Sequence, residues 1–284
     1  MVNLTHVGIV GAGQMGSGIA QVCAAAGLDV SLVDVSDAAL DRGMAAIAAG
    51  LERQVKKGTL SADGKAAMLS RIRTATDHRS LEGAGIVIEA ATENLELKQR
   101  ILKQLSETVA RQAVIASNTS SISITQLAAA VTAPERFIGI HFFNPVPLMG
   151  LVEVIRGLQT SDETAASAQA LAKAVGKTPV LVRNSPGFVV NRILVPMINE
   201  AVMVLQEGLA TAEDIDDGMK LGCNHPIGPL ALADLIGLDT VLAIMQVFAE
   251  EFGDPKYRPA PLLREMVSAG RLGRKSKRGF YSYE

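Results

Sequence analysis

The chain has 284 residues, 48% of them hydrophobic, enough for about two domains with filled cores. Lys and Arg number 27 against 29 Asp and Glu, a formal charge of −2, which excludes the overall positive field of a nucleic-acid or anionic-membrane binder. Cys23 and Cys223 lie too far apart for a metal-binding spacing or a disulfide framework, and no signal-peptide pattern or long uncharged apolar run is present, so a reducing, cytoplasmic setting is expected.

Taken in chain order, strands are predicted at 6–11 (HVGIVG), 29–34 (DVSLVD), 72–77 (IRTATD), 85–90 (GIVIEA), 113–118 (AVIASN), 137–143 (FIGIHFF), 151–155 (LVEVI) and 178–183 (TPVLVR). Helical apolar periodicity fills several of the intervals, as at 95–109 and 164–176. Such alternation predicts a mostly parallel α/β sheet with helices on both faces. Between the second and third strands two helical runs, 37–57 and 61–71, break at KKGTL; this is too much chain for one crossover helix and predicts an inserted helical hairpin. From 186 onward the pattern is helical throughout, so the boundary is placed at 184/185, with Ser185 capping a helix that Pro186 begins. The expected architecture is a Rossmann-type dinucleotide-binding domain over 1–184 followed by an all-helical C-terminal domain over 185–284.

The first chemical signal is VGIVGAGQMG, where Gly11, Gly13 and Gly16 have G-x-G-x-x-G spacing. Glycine is needed for the tight turn out of the strand, for close approach of a pyrophosphate to the backbone, and for helix–strand packing. The helix that follows turns its N-terminal N–H groups toward the anion. Asp34, 18 positions past Gly16 at the end of the next strand, is placed to accept hydrogen bonds from the adenosine ribose and to repel a 2′-phosphate, which favours NAD over NADP.

The second signal lies in GIHFFNPVPLMGLVEV, residues 139–154. His141 stands at the C-terminal end of its strand, where open α/β sheets bind ligands, and a neutral imidazole there can accept a proton from an alcohol near neutral pH. Glu153 stands alone between valines in the next strand, where a carboxylate is costly unless paired. Pairing with His141 across the Pro-x-Pro connection would fix the tautomer and stabilise an imidazolium. SNTSSISI (117–124) adds a polar cluster at a strand end, and Asn191 with Arg192 interrupts an otherwise apolar helix.

With these residues in view, the whole chain resembles the (S)-3-hydroxyacyl-CoA dehydrogenase family. The resemblance is carried by GIVGAGQMG, EAATENLELK, ASNTSSI, HFFNPVPLMGLVEVI, SPGFVVNR, the MKLG and GLDT stretches and the terminal GRKSKRGFYSY, and so runs from residue 7 to residue 283. It implies NAD-dependent interconversion of an (S)-3-hydroxyacyl-CoA, of short chain as in 3-hydroxybutyryl-CoA, with the 3-ketoacyl-CoA. His141 is implied as the base for the 3-hydroxyl, with Glu153 as its paired carboxylate, Ser120 bonding the substrate's C3 oxygen and Asn191 orienting the thioester. Gly11, Ala12, Gly13, Gln14, Met15, Gly16 and Asp34 are implied to hold the cofactor, together with Glu93, Lys98, Ser120, Asn144 and Lys275. Lys57, on the inserted hairpin, matches a lysine that meets the phosphates of coenzyme A; a neighbouring serine contact of the family is Gly50 here, which puts the details of that grip in question. No metal is implied. The helical domain is implied to form a homodimer, and its Met- and Leu-rich stripes PMINEAVMVLQ and TVLAIMQVF read as more apolar surface than one small domain buries by itself.

Two other readings share this scaffold. A 2-hydroxyacid or sugar-phosphate dehydrogenase would place a catalytic lysine in the helical domain, yet the helix after 186 offers Asn191 and no lysine before Lys220. A dinucleotide-binding structural or sensor protein without turnover would not require Ser120, His141, Glu153 and Asn191 together.

Overall fold

The computed structural model describes residues 4–284, which divide into two compact units between Ser185 and Pro186. The first unit runs β1 (His6–Val10), α1 (Gln14–Ala25), β2 (Asp29–Val33), α2 (Asp37–Lys56), α3 (Ala62–Ser70), β3 (Ile72–Ala75), β4 (Ile86–Glu89), α4 (Leu95–Thr108), β5 (Val114–Ser117), α5 (Ile124–Ala128), β6 (Phe137–Phe142), β7 (Leu151–Arg156), α6 (Asp162–Ala174) and β8 (Thr178–Arg183). The eight strands make one sheet in the order β3-β2-β1-β4-β5-β6-β7-β8. Neighbours from β3 across to β6 pair parallel, β7 runs antiparallel to β6, and β8 is parallel to β7. The chain moves outward from β1 to β3 and then returns to β4 on β1's other side. The crevice beyond the C-terminal ends of β1 and β4 is therefore the switch point where such sheets take ligands.

The strands read as continuous apolar runs because both faces of a parallel sheet are covered. Ile9, Leu32, Ile86, Ile88 and Val114 are fully enclosed in a core that α1, α2 and α6 close from outside. Helix starts follow the chemistry of the first turn: Ser36, Ser61, Asn94, Ser123 and Ser161 each accept an N–H of the helix they precede. The inserted hairpin is α2 and α3, and its inward face is Leu40, Gly43, Ile47 and Leu51. Cys23 is fully buried and its thiol is pushed up to about 12 by burial, so it is a packing residue and no nucleophile.

The second unit consists of α7 (Val190–Gln206), α8 (Ala212–Cys223), α9 (Pro229–Ile236), α10 (Leu238–Phe252) and α11 (Pro261–Ser268). Ser185 does not cap α7, contrary to the expectation from sequence: Gly187 and Phe188 take left-handed conformations, φ +70° and +52°, and α7 begins only at Val190. The turn is held open by packing, since a Cβ on Gly187 would lie 2.3 Å from the Phe248 ring. The apolar stripes quoted above serve this unit's own core, with Val195, Ile198, Val202, Val241, Met245 and Phe248 buried together. Its exposed apolar residues are different ones, among them Ile193, Leu209, Leu221 and Leu235.

Two buried carboxylates fasten the C-terminal segment. Asp234 accepts hydrogen bonds from Phe280 N, Tyr281 N and Tyr283 Oη, while Asp216 accepts from Leu230 N, Ala231 N and Tyr281 Oη. The GFYSY stretch is thus bound by acceptors enclosed in the helical core. Asp234→Ala should strand three donors and lower the unfolding free energy of this unit by roughly 2–4 kcal/mol, measured by urea denaturation followed by far-UV circular dichroism; an unchanged midpoint would remove the tie from the account.

Candidate active site

The glycine loop leaves β1 at the switch point, and each glycine has its own reason. Gly11 has φ +103°, and a Cβ there would lie 2.7 Å from the Ala90 carbonyl oxygen. A Cβ on Gly16 would lie 1.8 Å from the Gly11 carbonyl oxygen. Around Gly13 no heavy atom comes within 4 Å of the Cβ position, so the space beside the first turn of α1 is open to a ligand. Gly13 is also the residue before α1 and offers no side-chain cap, which leaves the helix N-terminus to an anion. Ala12 is buried, whereas Gln14 is exposed and Met15 half-buried beside them.

Asp34 closes the loop from the next strand: Oδ2 accepts the Ala12 N–H at 2.7 Å and Oδ1 accepts the Val35 N–H at 2.7 Å. A carboxylate offers about four lone-pair sites, so both oxygens keep capacity for a further donor such as a ribose hydroxyl. The open cradle at Gly13, the uncapped helix end and this carboxylate fit a dinucleotide without a 2′-phosphate.

His141 and Glu153 are directly opposite partners in the antiparallel β6/β7 pair, and Nδ1 of the ring lies 2.9 Å from Oε2 of the carboxylate. Glu153 is fully enclosed and His141 is 6% exposed, its ring packed on that of Phe143 with centroids 4.5 Å apart. A carboxylate accepts only, so Nδ1 carries the proton and the ring is locked in one tautomer. Behind them Asn118 accepts the Phe142 N–H at 2.9 Å, which ties the end of β5 to the residue after His141.

Ser120 follows β5 and is gathered by Glu93. Oε1 of Glu93 accepts from Ser120 N at 2.6 Å, from Ser120 Oγ at 2.9 Å and from Thr119 Oγ1 at 2.8 Å. Lys98 is only 1% exposed: its ammonium lies 2.6 Å from fully buried Glu89 and 3.6 Å from Glu93. α4 carries the Lys98 side chain inward, to an ion pair beneath the surface. Glu89 is not singled out by the sequence motifs, and Ser117 and Thr119 stand out only as members of the 117–124 polar cluster. Glu89 carried the signal that exposed Glu153, a lone acid ending an apolar strand.

Lys57 and Asn144 come together in the same unit. A cleft of 480 Å³ is lined by Gln14, Ser17 and Gln21 of α1, by Gly50, Arg53 and Lys57 of the hairpin and by the Asn144–Leu148 loop. A Cβ on Gly50 would lie 3.2 Å from the Gln21 amide oxygen, so the missing side chain there widens the cleft between α1 and α2.

In the second unit Asn191 is half-buried in the first turn of α7. Arg192 beside it stacks its guanidinium 3.9 Å from the Phe252 ring centre. Exposed Lys275 straddles the Asp239 carboxylate at 2.5 and 2.6 Å. Burial pushes the Asp239 carboxyl up, but the hydrogen bond and charge of Lys275 outweigh it and hold the group below its ordinary range. Among the described residues no group of three or more His, Cys, Asp or Glu side chains is placed to hold a metal.

A glycine loop with the shape a pyrophosphate requires, on the same sheet as an imidazole whose tautomer a buried carboxylate fixes, is the pattern of a dinucleotide-dependent oxidoreductase. Comparison with known proteins narrows the class. Residues 6–185 match the family described as "3-hydroxyacyl-CoA dehydrogenase, NAD binding domain", and residues 187–283 match "3-hydroxyacyl-CoA dehydrogenase, C-terminal domain". A 3-hydroxybutyryl-CoA dehydrogenase of Bradyrhizobium diazoefficiens is 54% identical over 280 residues, 99% of this chain and 96% of that one. A probable 3-hydroxybutyryl-CoA dehydrogenase of Deinococcus radiodurans is 54% identical over 276 residues, covering 97% of this chain and 99% of its own. The crystal structure of (S)-3-hydroxybutyryl-CoA dehydrogenase from Ralstonia eutropha superposes with a TM-score of 0.98 at 63% identity, over 99% of this chain and 100% of that one. The chain belongs to the 3-hydroxyacyl-CoA dehydrogenase family, and its cofactor is NAD.

Gly16→Ala should preserve the fold yet displace the loop, because the added methyl has nowhere to go but into Gly11. NADH affinity by calorimetry should fall about 10- to 100-fold, the worth of one or two good hydrogen bonds; unchanged affinity with native circular dichroism would sink this reading of the loop.

Proposed function

We propose that the protein interconverts a short-chain (S)-3-hydroxyacyl-CoA, such as 3-hydroxybutyryl-CoA, with the corresponding 3-ketoacyl-CoA, with His141 as the acid–base group. The observation that carries this reading is the 2.9 Å contact between His141 Nδ1 and enclosed Glu153, in a chain whose relatives bear that activity in their names. In the oxidative direction His141 accepts the 3-hydroxyl proton at Nε2 and becomes an imidazolium, which Glu153 stabilises from the other side of the ring without itself taking the proton. In the reductive direction the same nitrogen returns the proton to the C3 oxygen. Bound NAD supplies the acceptor or donor of the hydride at C3. Ser120 bonds the C3 oxygen, while the Glu93 carboxylate holds the Ser120 backbone N–H in place.

Gly11, Ala12, Gly13, Gln14, Met15 and Gly16 cradle the pyrophosphate, Asp34 takes the adenosine ribose, and Glu93, Lys98, Ser120, Asn144 and Lys275 are further cofactor groups. Lys57 meets the phosphates of coenzyme A, for which a cation on the rim of the cleft at Gly50 and Arg53 is suited. Asn191 orients the thioester. The helical unit forms a homodimer, a role supported by its exposed Ile193, Leu209, Leu221 and Leu235. No single helix among the described residues is long and apolar enough to cross a membrane, and a cytoplasmic location fits the sequence.

Two substitutions test the assignment. His141→Gln should lower kcat with acetoacetyl-CoA and NADH by about 10²–10⁴-fold while NADH affinity barely changes; a near wild-type rate would take His141 out of the mechanism. Asp34→Ala should narrow the gap in kcat/KM between NADH and NADPH, and an unaltered ratio would count against the ribose role.

A further inference from the structure

Below the surface that carries Glu93 and Ser120 lies a charge cluster that the reaction does not use directly. Glu89, the last residue of β4, is fully enclosed. Its Oε1 accepts the Ala91 N–H at 2.9 Å, and its Oε2 accepts from the Lys98 ammonium at 2.6 Å and from the Ser117 hydroxyl at 2.7 Å. Lys98 reaches Ser117 Oγ at 3.4 Å and makes a second, longer ion pair of 3.6 Å with Glu93 Oε2. Two carboxylates thus compete for one ammonium. Glu89 is shielded from water, whereas the Glu93 side chain is 43% exposed, so the buried acid exerts the stronger pull and holds the lysine.

We propose that Glu89 is a positioning residue of the active site: by claiming Lys98 it leaves the Glu93 carboxylate free to gather Ser120 and the cofactor. The argument rests on the function proposed above for Glu93 and Ser120. Without the charge of Glu89, the nearest anion for Lys98 is Glu93. The four-carbon stem is flexible enough to shorten the existing 3.6 Å ion pair with Glu93 to direct hydrogen-bond contact. That movement draws Glu93 toward α4 and away from the Ser120 N–H and hydroxyl, which it now holds at 2.6 and 2.9 Å. The backbone of Glu89 adds a second hold, because its carbonyl accepts the Asn118 N–H at 2.8 Å and Asn118 in turn accepts the Phe142 N–H next to His141.

A double-mutant cycle on the full-length protein separates positioning from general support of the fold. Glu89→Gln, Glu93→Gln and the double variant are compared for NADH affinity by calorimetry and for kcat and KM with acetoacetyl-CoA. If Glu89 acts through Glu93, each single change weakens NADH binding by about 3- to 10-fold, and the double variant matches the weaker single within about twofold. The same non-additivity should appear in kcat. Multiplication of the two effects, or wild-type affinity in Glu89→Gln, overturns the proposal. Should Glu89→Gln fail to fold, the cycle is run with Glu89→Asp, which keeps the charge but withdraws it from Lys98, under the same two criteria. The calorimetric arm is readable even if no 3-ketoacyl-CoA is turned over, so failure of the functional assignment and failure of this inference remain distinct results.

Discussion

Residues 141 and 153 face one another only because the sheet changes direction between β6 and β7. In the parallel pairs from β3 to β6, every strand end is followed by a crossover, and groups on neighbouring strands come from distant parts of the chain. The single antiparallel turn lets a segment of 12 residues fold back so that an imidazole at the C-terminal edge meets a carboxylate from the returning strand. That carboxylate is fully enclosed. An unpaired acid in such a place would cost several kcal/mol, so the fold tolerates Glu153 only with a partner, and the partner is thereby fixed in tautomer and orientation. Stability and proton handling are thus joined in one contact.

Much of this was legible in the sequence, for a physical reason. The strand period of two, the apolar runs and the turn residues are local, and they place all eight strands within about two residues of their observed ends. The glycine spacing is legible because three sterically distinct demands fall within six residues, and Asp34 sits where a carboxylate closes the loop. The His141 and Glu153 pair could be foreseen because a lone acid between valines demands a partner and the Pro-x-Pro turn supplies a short path to one. Family membership needed more than any of these, namely motifs spread along the whole chain.

What the linear pattern concealed depends on direction and depth. Lys98 occupies the first turn of α4 among charged neighbours and looks exposed, but the helix is rotated so that this lysine points under the sheet edge toward Glu89. The start of α7 departs from the sequence pattern: Ser185-Pro186 has the chemistry of a helix start, but Gly187 and Phe188 take left-handed conformations, and the Phe248 ring leaves no room for a Cβ on Gly187. The apolar stripes of the second unit send Ile198, Val202, Val241, Met245 and Phe248 into its own interior and leave Met203, Leu205, Leu242 and Ile244 half-buried, while the exposed apolar residues occupy positions without a sequence signature. In each case the deciding fact is a contact between residues far apart in the chain.

Four acids are buried among the described residues, and their partners separate them into two kinds. Asp216 and Asp234 are bound by backbone N–H groups and tyrosine hydroxyls. Backbone donors cannot leave without unfolding the segment that carries them, so these acids serve to close the helical unit. Glu153 holds a histidine, and Glu89 holds a lysine besides one backbone N–H; these are side chains whose charge or position can change while the backbone stays in place. Both acids stand in the same sheet, where the backbone is already satisfied by neighbouring strands. A carboxylate there can govern a movable cation or proton. Enclosure raises the strength of that control, because the attraction is not screened by water.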